Sequence, residues 1–236
     1  CGISCISTPF DETAVELLES VNAPFYKVAS FEMTDLPLVR AIAQTGKPMI
    51  ISTGMANRGE IAATLETARK HGSGEIVILH CISSYPTPVS AANLNAIPAL
   101  AREFDVLVGL SDHTMGNTAV ITSVALGACL IEKHFTLARA DGGPDADFSM
   151  EPAELAEMVK SARDAFSALG EGGIRRTEIE EKMIQFRRSI YVVKPVRAGE
   201  VFTTENIRRI RPGYGMAPEH FDWALGRKAV CDIEPG

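Results

Sequence analysis

The sequence lacks the features that define several protein classes. No apolar run approaches the ~20 residues that span a bilayer, so we predict no membrane span. The 23 Lys and Arg residues are outnumbered by 30 Asp and Glu, and the net charge of -7 argues against a nucleic-acid or anionic-membrane partner. We also find no GxGxxG, P-loop or GxSxG motif.

Cysteine is scarce and unpatterned. The five cysteines are an odd number and show no zinc-type spacing. Cys5, Cys81 and Cys129 lie in apolar runs, where we expect them to act as small buried hydrophobic residues. This usage favours a reduced, cytoplasmic protein over a disulfide scaffold.

What the sequence does contain is a repeated pattern of an apolar run followed by a helical segment. The runs are continuous rather than alternating, which is typical of parallel strands covered on both faces. Strands that alternate with helices predict an α/β fold with right-handed crossovers. The runs are residues 2–8, 25–30, 48–53, 75–81, 107–112 and 128–136.

The ends of these runs are polar. Five of them finish in hydroxyl, lysine, aspartate or histidine side chains, and Ser83, Ser84 and Tyr85 follow the run at 75–81. A (β/α)8 TIM barrel gathers all strand ends into one site, whereas an open sheet concentrates polar groups at one crevice. The pattern therefore favours the barrel, and we expect its first two βα units to precede residue 1.

The composition and hydrophobic pattern of the sequence change after the barrel segment. We assign residues 1–170 to a partial TIM barrel and the charged, Gly-containing residues 171–186 to a linker. Residues 187–236 show short alternating strands and turns, which predict a small β-rich domain that is truncated at its C-terminal end.

Two histidines stand just past consecutive strands, in "GLSDHT" (His113) and "IEKHFT" (His134). Neighbouring strands lie about 5 Å apart, so the two rings can share one ion. Imidazole suits a borderline divalent metal, and two ligands leave positions open for substrate. The alternative is that each histidine is an ordinary satisfied polar group.

Other strand ends carry groups that could bind a charged, hydroxylated ligand. Lys27 could form a Schiff base or act as a fixed cation for phosphate or carboxylate. The hydroxyls of Thr8, Ser30, Ser52 and Ser111 favour the cation, since several donors can surround one anion. Glu32, Tyr85 and Asp145 follow strand ends and could bind a polyhydroxyl substrate or belong to ordinary loops.

The ordered motifs resemble the sialic acid synthase family over essentially the whole chain. They are "STPFD", "YKVASFEM", "ISTGM", "YPTP", "GLSDHT", "EKHFT", "GGPD" and "RPGYG". The resemblance implies a TIM barrel followed by an antifreeze-like SAF domain. It also implies condensation of phosphoenolpyruvate with an N-acetylated amino-sugar, a divalent metal (commonly Mn²⁺, with Mg²⁺ or Co²⁺ as alternatives) and a domain-swapped homodimer.

The tail, including "RPGYG", looks most like the pseudaminic acid synthases, which use a 2,4-diacetamido-2,4,6-trideoxy hexose of the altrose series. Neuraminic and legionaminic acid synthases are the near alternatives. Ser83 stands where sialic acid synthases have an asparagine near the phosphoenolpyruvate, which makes a neuraminic acid product the weaker expectation.

The resemblance also implies residue roles. His113 and His134 match metal ligands, and Arg211 of "RPGYG" matches an arginine that enters the partner subunit's site. The positions around phosphoenolpyruvate are matched by Lys27, Thr8, Ser30, Ser52, Ser83 and Ser111. The sugar-binding positions are matched by Glu32, Tyr85 and Asp145. A glutamate and a lysine of the family's first two strands have no counterpart here.

Two functions of other kinds fit part of the pattern. A class I aldolase would use Lys27 without a metal, and a non-catalytic carbohydrate-binding protein would use Tyr85, Glu32 and Arg211 without either histidine.

Overall fold

The protein is described here by a computed structural model of residues 2–236. The chain divides into two compact units, one that ends at Glu171 and a second, Gly172–Gly236. Within residues 2–236, no helix is both long and apolar enough to cross a membrane.

The first unit is built on a parallel sheet. Its strands are β1 (Tyr26–Val28), β2 (Met49–Ser52), β3 (Ile76–Cys81), β4 (Leu107–Asp112) and β5 (Ile131–Lys133), and they lie in the order β1-β2-β3-β4-β5. Each strand is the next one's neighbour, as in a (β/α)8 barrel, whereas a doubly wound open sheet reverses its order at a switch point. The sheet is therefore part of a barrel, as the sequence predicts.

One helix precedes β1, and a helix follows each of the five strands. They are α1 (Glu12–Ser20), α2 (Leu36–Ala43), α3 (Arg58–Lys70), α4 (Ala96–Phe104), α5 (Thr118–Ala125) and α6 (Pro152–Leu169). The side chain of Asp11 accepts from the Ala14 amide, and Asn57 with Glu60 forms a capping box on α3. These caps satisfy amides that have no partner in the first helical turn, which fixes where the helices begin.

The core of this unit lies between the sheet and the helices. Five strand side chains are 0% exposed and pack with apolar side chains of α2 and α3: Tyr26, Val28, Met49, Ile51 and Ile78. This packing of helices on strands fixes the strand backbone, whose carboxyl ends carry the polar side chains.

The prediction for residues 2–8 was wrong. The structure has no strand there, and Ile3 is 83% exposed. The run contains apolar, β-forming residues, but a strand also needs backbone hydrogen bonds to a neighbouring strand. Residues 2–8 do not form them. Cys5 and Cys129 are exposed instead of buried, and Cys81, at the end of β3, is buried as expected.

The second unit contains β6 (Ser189–Val192) and β7 (Ile207–Ile210), which pair antiparallel, and two short helices, α7 (Glu178–Glu181) and α8 (Phe221–Ala224). Single bridges join Ile190 to Met216 and Val196 to Ile233. These short pairings agree with the expected small β-rich domain.

Candidate functional site

Polar side chains form successive levels at the carboxyl ends of β4 and β5. The parallel register pairs Ser111 with Glu132 and then Asp112 with Lys133. Side chains alternate between the two faces of a sheet, so each paired level projects opposite to the one before it. His113 and His134 follow on the face that Ser111 and Glu132 occupy.

Lys27 is the centre of a buried polar cluster at the lower level, that of Ser111 and Glu132. Only 7% of the residue is exposed, and its Nζ donates to Ser52 Oγ at 2.7 Å. Glu132 Oε2 lies 3.4 Å from the same Nζ, and Glu132 Oε1 accepts from Ser111 Oγ at 2.7 Å. The structure therefore links Lys27, Ser52 and Ser111, three of the predicted anion-binding residues, through Glu132.

Two more of the predicted hydroxyls meet each other. Ser30 Oγ and Ser83 Oγ are 3.3 Å apart. Gly54 permits this approach, because a Cβ at that position would collide with the Ser30 side chain, and its φ of +48° favours glycine. Thr8 is half-buried in the extended segment before Pro9, and the structure does not link it to this cluster by a hydrogen bond.

The two histidine rings lie side by side, with centroids 5.3 Å apart. Nδ1 of His113 is 2.8 Å from the carbonyl oxygen of Ile82, so this nitrogen carries the proton and donates. The opposite nitrogen, Nε2, is left with a free lone pair. Metal-binding histidines usually have one ring nitrogen oriented by a carbonyl in this way, so the ring is suited to bind a metal through Nε2.

His134 is held from its other side. Its Nδ1 is 3.6 Å from Asp145 Oδ2. Burial, and then the neighbouring His113, lower the pKa of His134, so the ring is neutral at pH 7. Neutral imidazole is the form that binds a metal.

Aromatic rings enclose the histidine pair. The Tyr85 ring centroid is 4.3 Å from that of His113 and 5.9 Å from that of His134. Phe148 lies 5.0 Å from His134 and 5.7 Å from Tyr85. Burial raises the pKa of Tyr85, so its phenol stays protonated and able to donate a hydrogen bond.

These donors suit a divalent metal with an incomplete protein shell. Within residues 2–236, no three His, Cys, Asp or Glu side chains are grouped closely enough to hold an ion. The histidine pair supplies two nitrogen ligands in the same place, which leaves the remaining coordination positions to water or substrate.

Glu32 lies in the turn that follows β1, and one of its carboxylate oxygens is unsatisfied. Oε2 is buried and has no hydrogen-bond partner within the described part of the chain. A buried acceptor without a partner costs about 1–3 kcal/mol, so its presence indicates a ligand donor or a water at that point.

Arg211 belongs to the second unit and follows β7 directly. It is exposed, and a cis peptide bond joins it to Pro212. Arg211 and the strand-end residues therefore belong to different compact units.

Sequence reasoning missed Glu132 and Phe148 as site residues. Glu132 precedes His134 by two residues, so the period of a strand places both on one face, and this signal was available. Phe148 lies near His134 because the loop from Ala138 returns to the strand end, where Phe135 bridges to Met150. That return depends on tertiary structure.

The fold and site together define a partial (β/α)8 barrel with a lysine–hydroxyl cluster beneath a histidine pair, joined to a small β-rich unit. Residues 1–173 match the NeuB family and residues 187–236 match the SAF domain. The chain belongs to the NeuB family, which includes the sialic acid synthases.

Relatives with named activities cover the whole chain. A pseudaminic acid synthase of Campylobacter jejuni is 40% identical over 100% of this chain and 68% of its own length. An N,N'-diacetyllegionaminic acid synthase of the same species is 40% identical over 98% of this chain and 70% of its own.

A solved structure supports the fold. The N-acetylneuraminic acid synthetase of Leptospira borgpetersenii superposes with a TM-score of 0.73 at 34% identity, over 78% of this chain and 65% of that one.

The lysine cluster predicts anion binding with a defined charge dependence. In the full-length protein, Lys27→Met should weaken the binding of inorganic phosphate about 10- to 100-fold, because one charge-assisted hydrogen bond contributes about 1.5–3 kcal/mol. Calorimetric titration with phosphate measures this. Lys47→Met is the control, since its amine is 2.6 Å from Glu19 in an exposed ion pair and its loss removes the same charge.

Glu132→Gln should strengthen phosphate binding or leave the affinity unaltered, because it removes a carboxylate that competes with phosphate for the Lys27 amine. Unchanged phosphate affinity in Lys27→Met would contradict the assignment of this cluster as an anion site.

Proposed function

We propose that the chain condenses phosphoenolpyruvate with a 2,4-diacetamido-2,4,6-trideoxy hexose of the altrose series and water, to give pseudaminic acid and phosphate. The observation that carries this proposal is the pair of oriented histidines on the same face as, and above, a buried lysine that contacts the Ser52 hydroxyl and the Glu132 carboxylate. The first group suits a carbonyl substrate with a metal, and the second suits a phosphorylated carboxylate.

Phosphoenolpyruvate would occupy the lower level. Lys27 would pair with its negative charge, and Ser52 and Ser111 would donate hydrogen bonds from either side. Ser30, Ser83 and Thr8 complete the proposed set on the family resemblance. Fixed donors of this kind accelerate a bimolecular reaction mainly by holding the reacting carbon in position.

The sugar would lie above, against the histidines. Glu32 has a buried, unpaired oxygen that can accept from a sugar hydroxyl or amide. Tyr85 offers a ring face and a protonated phenol, and the half-exposed Asp145 beside His134 offers a further acceptor. Both carboxylates thus provide acceptors that match a hydroxylated, acylamino substrate.

A divalent metal held by His113 and His134, with Mn²⁺ as the first candidate, would polarise the aldehyde oxygen of the open-chain sugar. The new carbon–carbon bond joins C3 of phosphoenolpyruvate to the aldehyde carbon. Water adds at C2, and cleavage of the bond between C2 and the phosphate oxygen releases phosphate. Lys27 and its hydroxyl neighbours stay on the phosphate and carboxylate throughout.

The choice of sugar rests on the second unit and on Ser83. The pseudaminic and legionaminic acid synthases are equally similar to this chain at 40% identity, so overall identity does not separate them. The "RPGYG" sequence at Arg211–Gly215 is the feature that favours the pseudaminic acid synthases. An amide at position 83, which neuraminic acid synthases carry, is absent.

The ion pair at Lys27 disfavours the aldolase alternative. A Schiff base requires a free amine that can attack a carbonyl, whereas the Lys27 amine is engaged in an ion pair with Glu132, 3.4 Å away. An ammonium ion among hydroxyls is the form that binds an anion.

Turnover of the full-length protein with phosphoenolpyruvate and each of three amino-sugars, those of the pseudaminic, legionaminic and neuraminic series, tests this proposal. We expect the highest kcat/KM with the altrose-series sugar, and loss of turnover with a chelator or with His113→Gln.

His80→Gln is the matched control, because His80 is also buried and its Nε2 contacts the Ala92 carbonyl at 2.8 Å instead of a group of the histidine pair. Full activity in His113→Gln or under chelation would reject the metal. Condensation with only another sugar would reject the named substrate.

We further propose that Arg211 acts in the site of a partner subunit in a domain-swapped homodimer and donates to the acylamino carbonyl of the sugar. Arg211→Ala should raise the KM for the sugar about 10- to 100-fold, from the loss of about 1.5–3 kcal/mol, with little change for phosphoenolpyruvate.

A subunit-mixing experiment tests the trans assignment. Inactive Arg211→Ala and His113→Ala subunits should together recover part of the activity, because one site of each mixed dimer combines an intact barrel with an intact arginine. Verified heterodimers without activity would show that Arg211 serves its own barrel or none.

A further inference from the structure

Asp112 and Lys133 form a buried ion pair on the face of β4 and β5 opposite to the histidines. Lys133 Nζ lies 2.7 Å from Asp112 Oδ2, and the two side chains are 3% and 2% exposed. They are direct partners in the strand register, so this bond joins β4 to β5 at the last paired level. Neither residue touches the lysine–hydroxyl cluster.

The same pair also holds the backbone on both sides of His113. Asp112 Oδ1 accepts from the Thr114 amide at 2.9 Å, and Lys133 Nζ donates to the Thr114 carbonyl. Residues 112 and 114 are therefore fixed to each other and to Lys133, which directly precedes His134. The backbone at each histidine is tied to the backbone at the other.

Lys133 has one carboxylate partner in this arrangement. The nearby Glu154 is bound by Arg139, at 2.6 and 2.8 Å, and the pKa of Glu154 falls to about 2 because of that arginine. Glu154 thus remains an anion that is paired with Arg139. Asp112 is the carboxylate that pairs with Lys133.

Stability alone does not account for this pair. Burying two charges costs desolvation free energy that their attraction often fails to offset, so apolar side chains of similar volume commonly serve as well. What an ion pair adds is direction, because it holds two groups at one distance and one angle.

We infer that Asp112 and Lys133 are positioning residues that set the spacing and orientation of His113 and His134 for a divalent ion. The inference rests on the proposed function for the ion itself. The geometric part, that the pair orients the two rings, holds independently of any metal.

Three variants and one control test it in the full-length protein. Asp112→Asn keeps an acceptor for the Thr114 amide and removes the charge, Lys133→Met removes the other charge, and the double variant removes both. Thr64→Val is the control, because Thr64 is fully buried on α3 and its hydroxyl bonds to the Met33 carbonyl at 2.8 Å, so its loss weakens the fold elsewhere.

The first measurement uses metal-free protein with carbon-13-labelled histidine. Tyr85 lies against both rings and Phe148 lies against that of His134, so small rotations alter the ring resonances of His113 and His134. We expect these resonances to shift or broaden in all three variants and to stay in place in Thr64→Val. Unshifted resonances in Asp112→Asn and Lys133→Met would overturn the positioning role whatever the metal does.

The second measurement is the affinity for Mn²⁺ alone. Loss of a group that orients a ligand typically costs about 10- to 100-fold in metal affinity. We expect that loss in each single variant, and we expect the double variant to recover thermal stability without recovering Mn²⁺ affinity. A double variant that recovers both would make the pair structural only.

Unmodified protein that fails to bind Mn²⁺ would overturn the metal part of the proposed function, and the histidine resonances would still decide whether the pair orients the rings.

Discussion

The parallel register between β4 and β5 is the constraint on which the candidate site depends. It places Ser111 beside Glu132, Asp112 beside Lys133, and the two histidines beside each other one residue later. A slip of one residue would turn every side chain of one strand to the opposite face and separate the pairs. Gly109 permits the close approach, because a Cβ there would collide with the backbone of Leu130.

The three levels along these strands serve different tasks. The Ser111–Glu132 level reaches Lys27 on β1, whose amine is the proposed partner for the substrate's negative charge. The Asp112–Lys133 level faces away and joins the strands, and the histidine level presents two imidazole rings among aromatic side chains. A fixed lysine below a pair of histidines suits the condensation of phosphoenolpyruvate with an aldehyde that we propose.

The sequence alone predicted the elements of this arrangement because they depend on local pattern. Continuous apolar runs indicated buried parallel strands, and the polar residue at the end of each run indicated the site. The link from Lys27 to Glu132 spans most of the sheet, and the unpaired oxygen of Glu32 depends on surrounding side chains, so neither has a local signal. Residues 2–8 and the exposed Cys129 show the same limit, since pairing and burial are set by neighbours in space.

The central claim is that one end of the sheet holds a divalent metal and phosphoenolpyruvate on the same face, one above the other. Anomalous diffraction from crystals of the full-length protein grown with Mn²⁺ and phosphoenolpyruvate tests it most directly. The account predicts one manganese peak between Nε2 of His113 and the ring of His134, with the phosphoenolpyruvate anion against Lys27, Ser52 and Ser111. A manganese peak elsewhere, or an anion bound away from Lys27, would contradict it.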